Sequence, residues 1–150
     1  MDRLKLAALD QSDLEVISAH MQDAVLTRSD IRYWRSKGKF ALLANRFAWD
    51  AVSPGKRGRY QRRLSGLQFA RVLSVRSCGI SRDGDTVLCL LSIGFEQGEP
   101  PSGAVVLTFA GGGTIRLEVE CIEAQLDDLG PAWETARAPS HEDGERIDAA

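Results

Sequence analysis

Two segments of this chain have helical spacing, and the stretch between them reads as strands. Near the N-terminus Leu14, Ile17, Met21 and Ala24 recur at intervals that place them on one face of a helix. Asp10 or Ser12 supplies a cap, and Ser12-Asp13-Leu14-Glu15 has the capping-box form, so a helix is predicted over about residues 11–23. Before it, Leu4–Leu9 reads as a short strand or as the lead-in to that helix. The second helical segment is Cys121–Leu129, where Ile122, Gln125, Leu126 and Leu129 form a stripe. Gly130-Pro131 ends it.

Between the two, β-prone runs are separated by turn residues. Ala24–Thr27 and Ile31–Trp34 are short, and Ser36-Lys37-Gly38-Lys39 turns the chain into Phe40–Trp49. A polar, Gly-punctuated loop over 50–66 precedes Leu67–Ile80, in which Leu67, Phe69, Leu73 and Val75 share a face and Arg71 marks a bulge or an edge. Ser81–Asp85 is a hairpin turn, and Thr86–Glu96, apolar on both faces, is a central strand. Ala104–Phe109 and Thr114–Glu120 form a hairpin around Gly111-Gly112-Gly113. Helix, about six strands mostly joined as hairpins, then helix predicts an α+β fold. Its antiparallel sheet curls toward a half-barrel, comparable by element order alone with a pleckstrin-homology barrel. After residue 133 nothing apolar repeats, so a single domain over 1–133 and a disordered acidic tail over 134–150 are expected.

Composition narrows the class without naming an activity. The chain has 150 residues, 43% hydrophobic and 27% charged, which suits one ordinary globular domain. Its longest apolar run, Thr86–Phe95, is too short for a membrane-spanning helix, and the N-terminus lacks the features of a signal peptide. Cys78, Cys89 and Cys121 are scattered within apolar stretches, as expected of buried, reduced thiols in a cytoplasmic protein.

Charge changes the picture more. The net charge of -2 conceals a segregation: residues 28–82 carry 14 Lys/Arg against Asp30 and Asp50, whereas residues 83–150 carry 14 Asp/Glu against Arg116, Arg137 and Arg146. Such asymmetry points to an anionic partner or to contact between the halves.

No catalytic, cofactor-binding or metal-ligating residue emerges. Gly111-Gly112-Gly113 is followed by a strand rather than by the helix N-terminus that a phosphate loop requires. Pro54-Gly55-Lys56-Arg57 lacks the Walker spacing. The two histidines, His20 on the first helix and His141 in the tail, show no ligand spacing. Glu118 and Glu120 share a strand face beside Glu123, Asp127 and Asp128, which leaves an enzyme using the carboxylates of Glu118 and Glu120 as the least favoured function. The strongest candidate is basic. Lys56, Arg57, Arg59, Arg62 and Arg63 crowd one loop around Tyr60, Arg46 lies just before it, and Trp34, Phe40, Phe47 and Trp49 interleave with further cations. Clustered Lys/Arg suits phosphate or carboxylate, and aromatic platforms add stacking for single-stranded nucleic acid. Arg46, Lys56, Arg57, Arg59, Arg62 and Arg63 are therefore the candidate anion-binding residues.

The segment LTFAGGGTIRLEVECIEAQLDDLGPAW (107–133) resembles domain of unknown function family 2948, as do the opening from Leu4 through Ala24 (LKLAALDQSDLEVISAHMQDA) and FALLANRF (40–47), a likeness spanning about residues 4–133. The resemblance implies an alphaproteobacterial protein, often encoded near histidine-biosynthesis and cell-wall genes, and supplies no activity, cofactor or site residue to carry over. The expected function is a non-enzymatic binding or adaptor module that contacts an anionic partner, nucleic acid or acidic protein, through a basic hairpin and loop over 28–63. The alternative is a structural or interaction protein that self-associates as a homo-oligomer, basic half against acidic half.

Overall fold

The structure, a computed structural model, describes residues 3–47, 62–131 and 145–146. The backbone runs β1 (Lys5–Ala8), α1 (Gln11–Met21), β2 (Ala24–Thr27), β3 (Ile31–Trp34), β4 (Lys39–Phe47), β5 (Arg62–Phe69), β6 (Val72–Cys78), β7 (Val87–Gln97), β8 (Gly103–Phe109), β9 (Thr114–Val119), β10 (Ala124–Pro131) and β11 (Glu145–Arg146). All eleven strands join one antiparallel sheet in the order β1-β10-β5-β4-β2-β7-β8-β9-β6, with β3 beside β4 and β11 beside β3.

Helix α1 is built as its sequence dictates. Asp10 caps it, its Oδ1 accepting from the Asp13 amide at 2.8 Å, while Asp13 Oδ2 accepts from the Leu9 amide at 3.2 Å. Leu14, Ile17 and Met21 are buried, and the helix packs on β7, β1 and β4. It stops at Met21, because Asp23 takes a left-handed conformation and Ala24 opens β2.

The expected α+β fold of about six strands with two helices is corrected to a mainly antiparallel sheet with one α-helix among the described residues, and the pleckstrin-homology comparison falls with the second helix. Cys121–Leu129 is not helical. Ala124–Pro131 forms β10, hydrogen-bonded to β1 on one side and β5 on the other. Read at period two, Ala124, Leu126 and Asp128 point inward and are buried. A charged residue at the third inward position disguises that alternation, and the same stretch also satisfies a helical stripe.

Two further differences have local causes. Leu67–Ile80 is two strands rather than one, with Arg71 at φ +61° forming the corner between them. The two have different partners, β4 and β10 for β5 and β9 for β6. The second lies upstream, where β5 begins at Arg62, inside the expected loop. The hairpin turn at Gly38, with φ +61°, and the β8–β9 hairpin follow the sequence.

The core combines inward-facing strand residues with Leu14, Ile17 and Met21 of α1. Phe40, Leu42 and Ala44 of β4 meet Phe69 and Leu67 of β5 and Ala124 and Leu126 of β10. Phe40 and Phe69 pack with ring centroids 6.3 Å apart. β7 is central in its pairing, between β2 and β8, but one of its faces is open, with Val87 and Leu91 exposed.

Candidate functional site

Each strand's parity decides which basic residues reach solvent. Along β4, Phe40, Leu42, Ala44 and Arg46 share the inward face, and the Arg46 side chain is fully buried. It forms a two-point pair with Asp128 of β10, Nε to Oδ1 at 2.8 Å and Nη2 to Oδ2 at 2.9 Å. β5 lies between them and contributes Ser65, whose hydroxyl donates to Asp128 Oδ1 at 2.7 Å. The Leu4 amide donates to Asp128 Oδ2 at 2.8 Å, and the Asp128 amide donates back to the Leu4 carbonyl at 2.9 Å. Burial alone would push the Asp128 carboxyl up. The hydrogen bonds from Arg46, Leu4 and Ser65, with the charge of Arg46, outweigh it and hold the group below the ordinary aspartate range. This cluster is a polar plug at one end of the core, and Arg46 is not offered to a surface anion.

The other candidate cations are dispersed. Lys56, Arg57 and Arg59 lie outside the described residues. Arg62 is exposed at the start of β5, where its guanidinium donates to the Asp23 and Asn45 carbonyls at 3.2 and 3.1 Å and sits 5.7 Å from the centroid of the Phe47 ring. Arg63 is half-buried on the inward face, at the register position of Arg46.

A second basic feature lies at the far side of β4. Residues 28–39 carry five Lys/Arg against Asp30. Within them β3 has one edge paired to β4 over all four of its residues. On its other edge sits β11, with Glu145 opposite Tyr33 and Arg146 opposite Arg32. A strand from the acidic end of the chain therefore occupies the edge of the basic hairpin.

Beside that edge, on the outer face, is a groove of about 260 Å³ whose lining includes Arg32, Trp34, Leu43, Gly66, Asp127 and Leu129. Leu43, Gly66 and Asp127 stand in one cross-strand row over β4, β5 and β10. The missing side chain at Gly66 opens the floor of that row, since a Cβ there would lie 3.4 Å from Leu129 Cδ1 and 3.7 Å from Leu43 Cδ2. Asp127 Oδ1 is buried at the groove with no hydrogen-bond partner among the described residues. Arg32 is held along its own strand, its Nη1 donating to the Ser29 carbonyl and to the Ile31 carbonyl at 3.2 Å. A second depression, sharing Trp34, extends the groove toward Lys37 and Lys39.

The model of a family described as protein of unknown function (DUF2948) matches residues 4–141. The chain belongs to that family. Comparison with curated proteins and with solved structures gave no match. The likeness seen in the three segments quoted above is thus borne out, the DUF2948 match covering nearly the whole chain.

Four glutamates of this DUF2948 protein, Glu96, Glu118, Glu120 and Glu123, lie in surface ion pairs. Glu118 Oε2 receives Arg116 Nε at 2.7 Å, and Glu96 Oε1 receives Arg116 Nη1 at 2.8 Å. Glu120 and Glu123 face Arg71 at 3.9 and 3.4 Å. Glu118 and Glu120 are both about half exposed and each is paired with an arginine, so the acid–base use of this pair is not carried forward. Cys78 is exposed on β6 rather than buried, and Cys89 and Cys121 are intermediate. No helix among the described residues is long and apolar enough to cross a membrane.

Sequence reasoning placed Arg46 in the wrong surroundings although a signal was present, since its parity with Phe40, Leu42 and Ala44 already turned it inward. The groove carried no comparable signal in this DUF2948 sequence. Its residues come from four strands and converge only once the register is fixed.

Proposed function

We propose that this protein is an interaction module that takes an extended acidic polypeptide by strand addition to the edge of β3, with one side chain of that partner seated in the adjoining groove. The observation that carries this reading is the strand β11, drawn from the acidic C-terminal end of the chain, on the edge of β3. Strand addition supplies affinity through backbone hydrogen bonds, while side-chain pockets on alternate positions supply selectivity. The cations of residues 28–39 favour an acidic strand over a neutral one, and Trp34, Leu43 and Leu129 give the groove an apolar wall and floor. This narrows the anionic partner from nucleic acid or acidic protein to acidic protein. Lys56, Arg57, Arg59, Arg62 and Arg63 are candidate contributors to long-range attraction. A folded unit over 1–133 carrying an acidic tail over 134–150 is part of the same proposal.

The test uses a labelled peptide of residues 140–150 (SHEDGERIDAA) titrated into the full chain. Binding should weaken as salt rises. Gly66→Leu should cost about tenfold or more in affinity, because a leucine fills the space that a bound side chain would bury for about 1.5–3 kcal/mol. Gly66 does not have positive φ, so the variant should fold with its melting temperature little changed. Peptide affinity indifferent both to salt and to Gly66→Leu would remove the reading.

A further inference from the structure

Resting on that reading, we infer that β11 is an autoinhibitory strand, a tethered competitor that must leave β3 before an external partner can dock. The two occupants exclude one another because they need the same backbone groups. β3 gives one edge to β4 along Ile31–Trp34, so the edge facing β11 is its remaining line of donors and acceptors. An arriving strand finds it taken.

The hold is short. β11 makes two ladder pairs, Glu145 with Tyr33 and Arg146 with Arg32, where the β3–β4 ladder makes four. A ladder of that length contributes little by itself. What keeps the edge occupied is the covalent tether, the thirteen residues between Pro131 and Glu145. A short tether acts as an effective concentration on the order of millimolar, which a free partner must exceed or outbind. Charge adds a second hold through long-range attraction, since the sequence from 142 to 148 carries four acids against Arg146, whereas that of 28–39 carries five Lys/Arg against Asp30. The arrangement suits a partner longer or more acidic than the tail, which wins by adding pairs along β3 that the tail does not make.

The experiment compares the full chain with a full-length Glu145→Pro/Arg146→Pro variant. Proline lacks the amide proton and fixes φ, so the pair of prolines removes β11 from the ladder while every acid but Glu145 stays. Both proteins are titrated with the same labelled peptide of residues 140–150. The variant should bind it about fivefold or more tightly, since the tethered competitor is gone. Equal affinity for the two proteins would overturn the autoinhibition and leave the β3 binding surface standing. Binding by neither protein would overturn the binding reading itself, and the inference with it.

Discussion

Asp128→Ala will lower the unfolding free energy by about 3–5 kcal/mol, measured by urea denaturation, because it leaves the Arg46 guanidinium charged in the core with no carboxylate. A domain of this size is stable by roughly 5–15 kcal/mol in total, so the variant will be marginally folded. The magnitude follows from burial: both side chains of the pair are at most 1% exposed, against the exposed pairs of Arg71 and Arg116. Those surface pairs are screened by water and contribute little. Replacing both partners by apolar residues, Arg46→Met with Asp128→Leu, should recover most of the loss, since no buried charge then remains. A loss under about 1 kcal/mol for Asp128→Ala would mean that Arg46 reaches water, and would contradict the buried plug. The same pair sets an acid limb. The folded-state pKa of Asp128 lies below its unfolded value. Its contribution is therefore present above the unfolded value of about 3.9 and is lost as pH falls below that toward the folded pKa. Asp128→Asn should flatten that part of the stability profile.

Phe69→Ala will cost about 3–5 kcal/mol, whereas Leu73→Ala will cost under about 0.5 kcal/mol. The contrast separates the observed fold from the arrangement that the sequence first suggests. Strict alternation over Leu67–Ile80 puts Phe69 and Leu73 on one buried face. The corner at Arg71 breaks that alternation, leaving Phe69 1% exposed between Phe40 and Ala124 and Leu73 58% exposed on β6. Comparable losses at the two positions, read from denaturation midpoints at unchanged slope, would mean that the strand runs straight through Arg71.

How legible the fold was can be followed along these residues. The N-terminal helix, its cap at Asp10, the Gly38 turn and the β8–β9 hairpin were readable, because each rests on contacts within a few residues. Cys121–Leu129 was not, because what makes it a strand is remote: Arg46 and Ser65 neutralise Asp128, and without them an inward aspartate argues against a buried strand face. Arg71 was flagged as irregular, but a non-glycine residue at positive φ is rare enough that a corner there needs the pairing of β5 and β6 to different partners to make sense. The charge segregation was legible as a sum and opaque as geometry. Part of it is spent inside the fold, on Arg46–Asp128 and on Arg71 with Glu120 and Glu123. The pairing of β11 with β3 is a backbone ladder that no local pattern in residues 134–150 announces.

The central claim is that the β11-facing edge of β3 and its groove form the interaction surface. Backbone amide shifts of the isotope-labelled full chain, followed while the peptide of residues 140–150 is added, test it most directly. The largest changes should fall on Ile31–Trp34 and on Leu43 and Gly66, and should shrink as salt is raised. Changes centred instead on the Arg116–Glu118 face of β9, or spread without focus over the sheet, would contradict it.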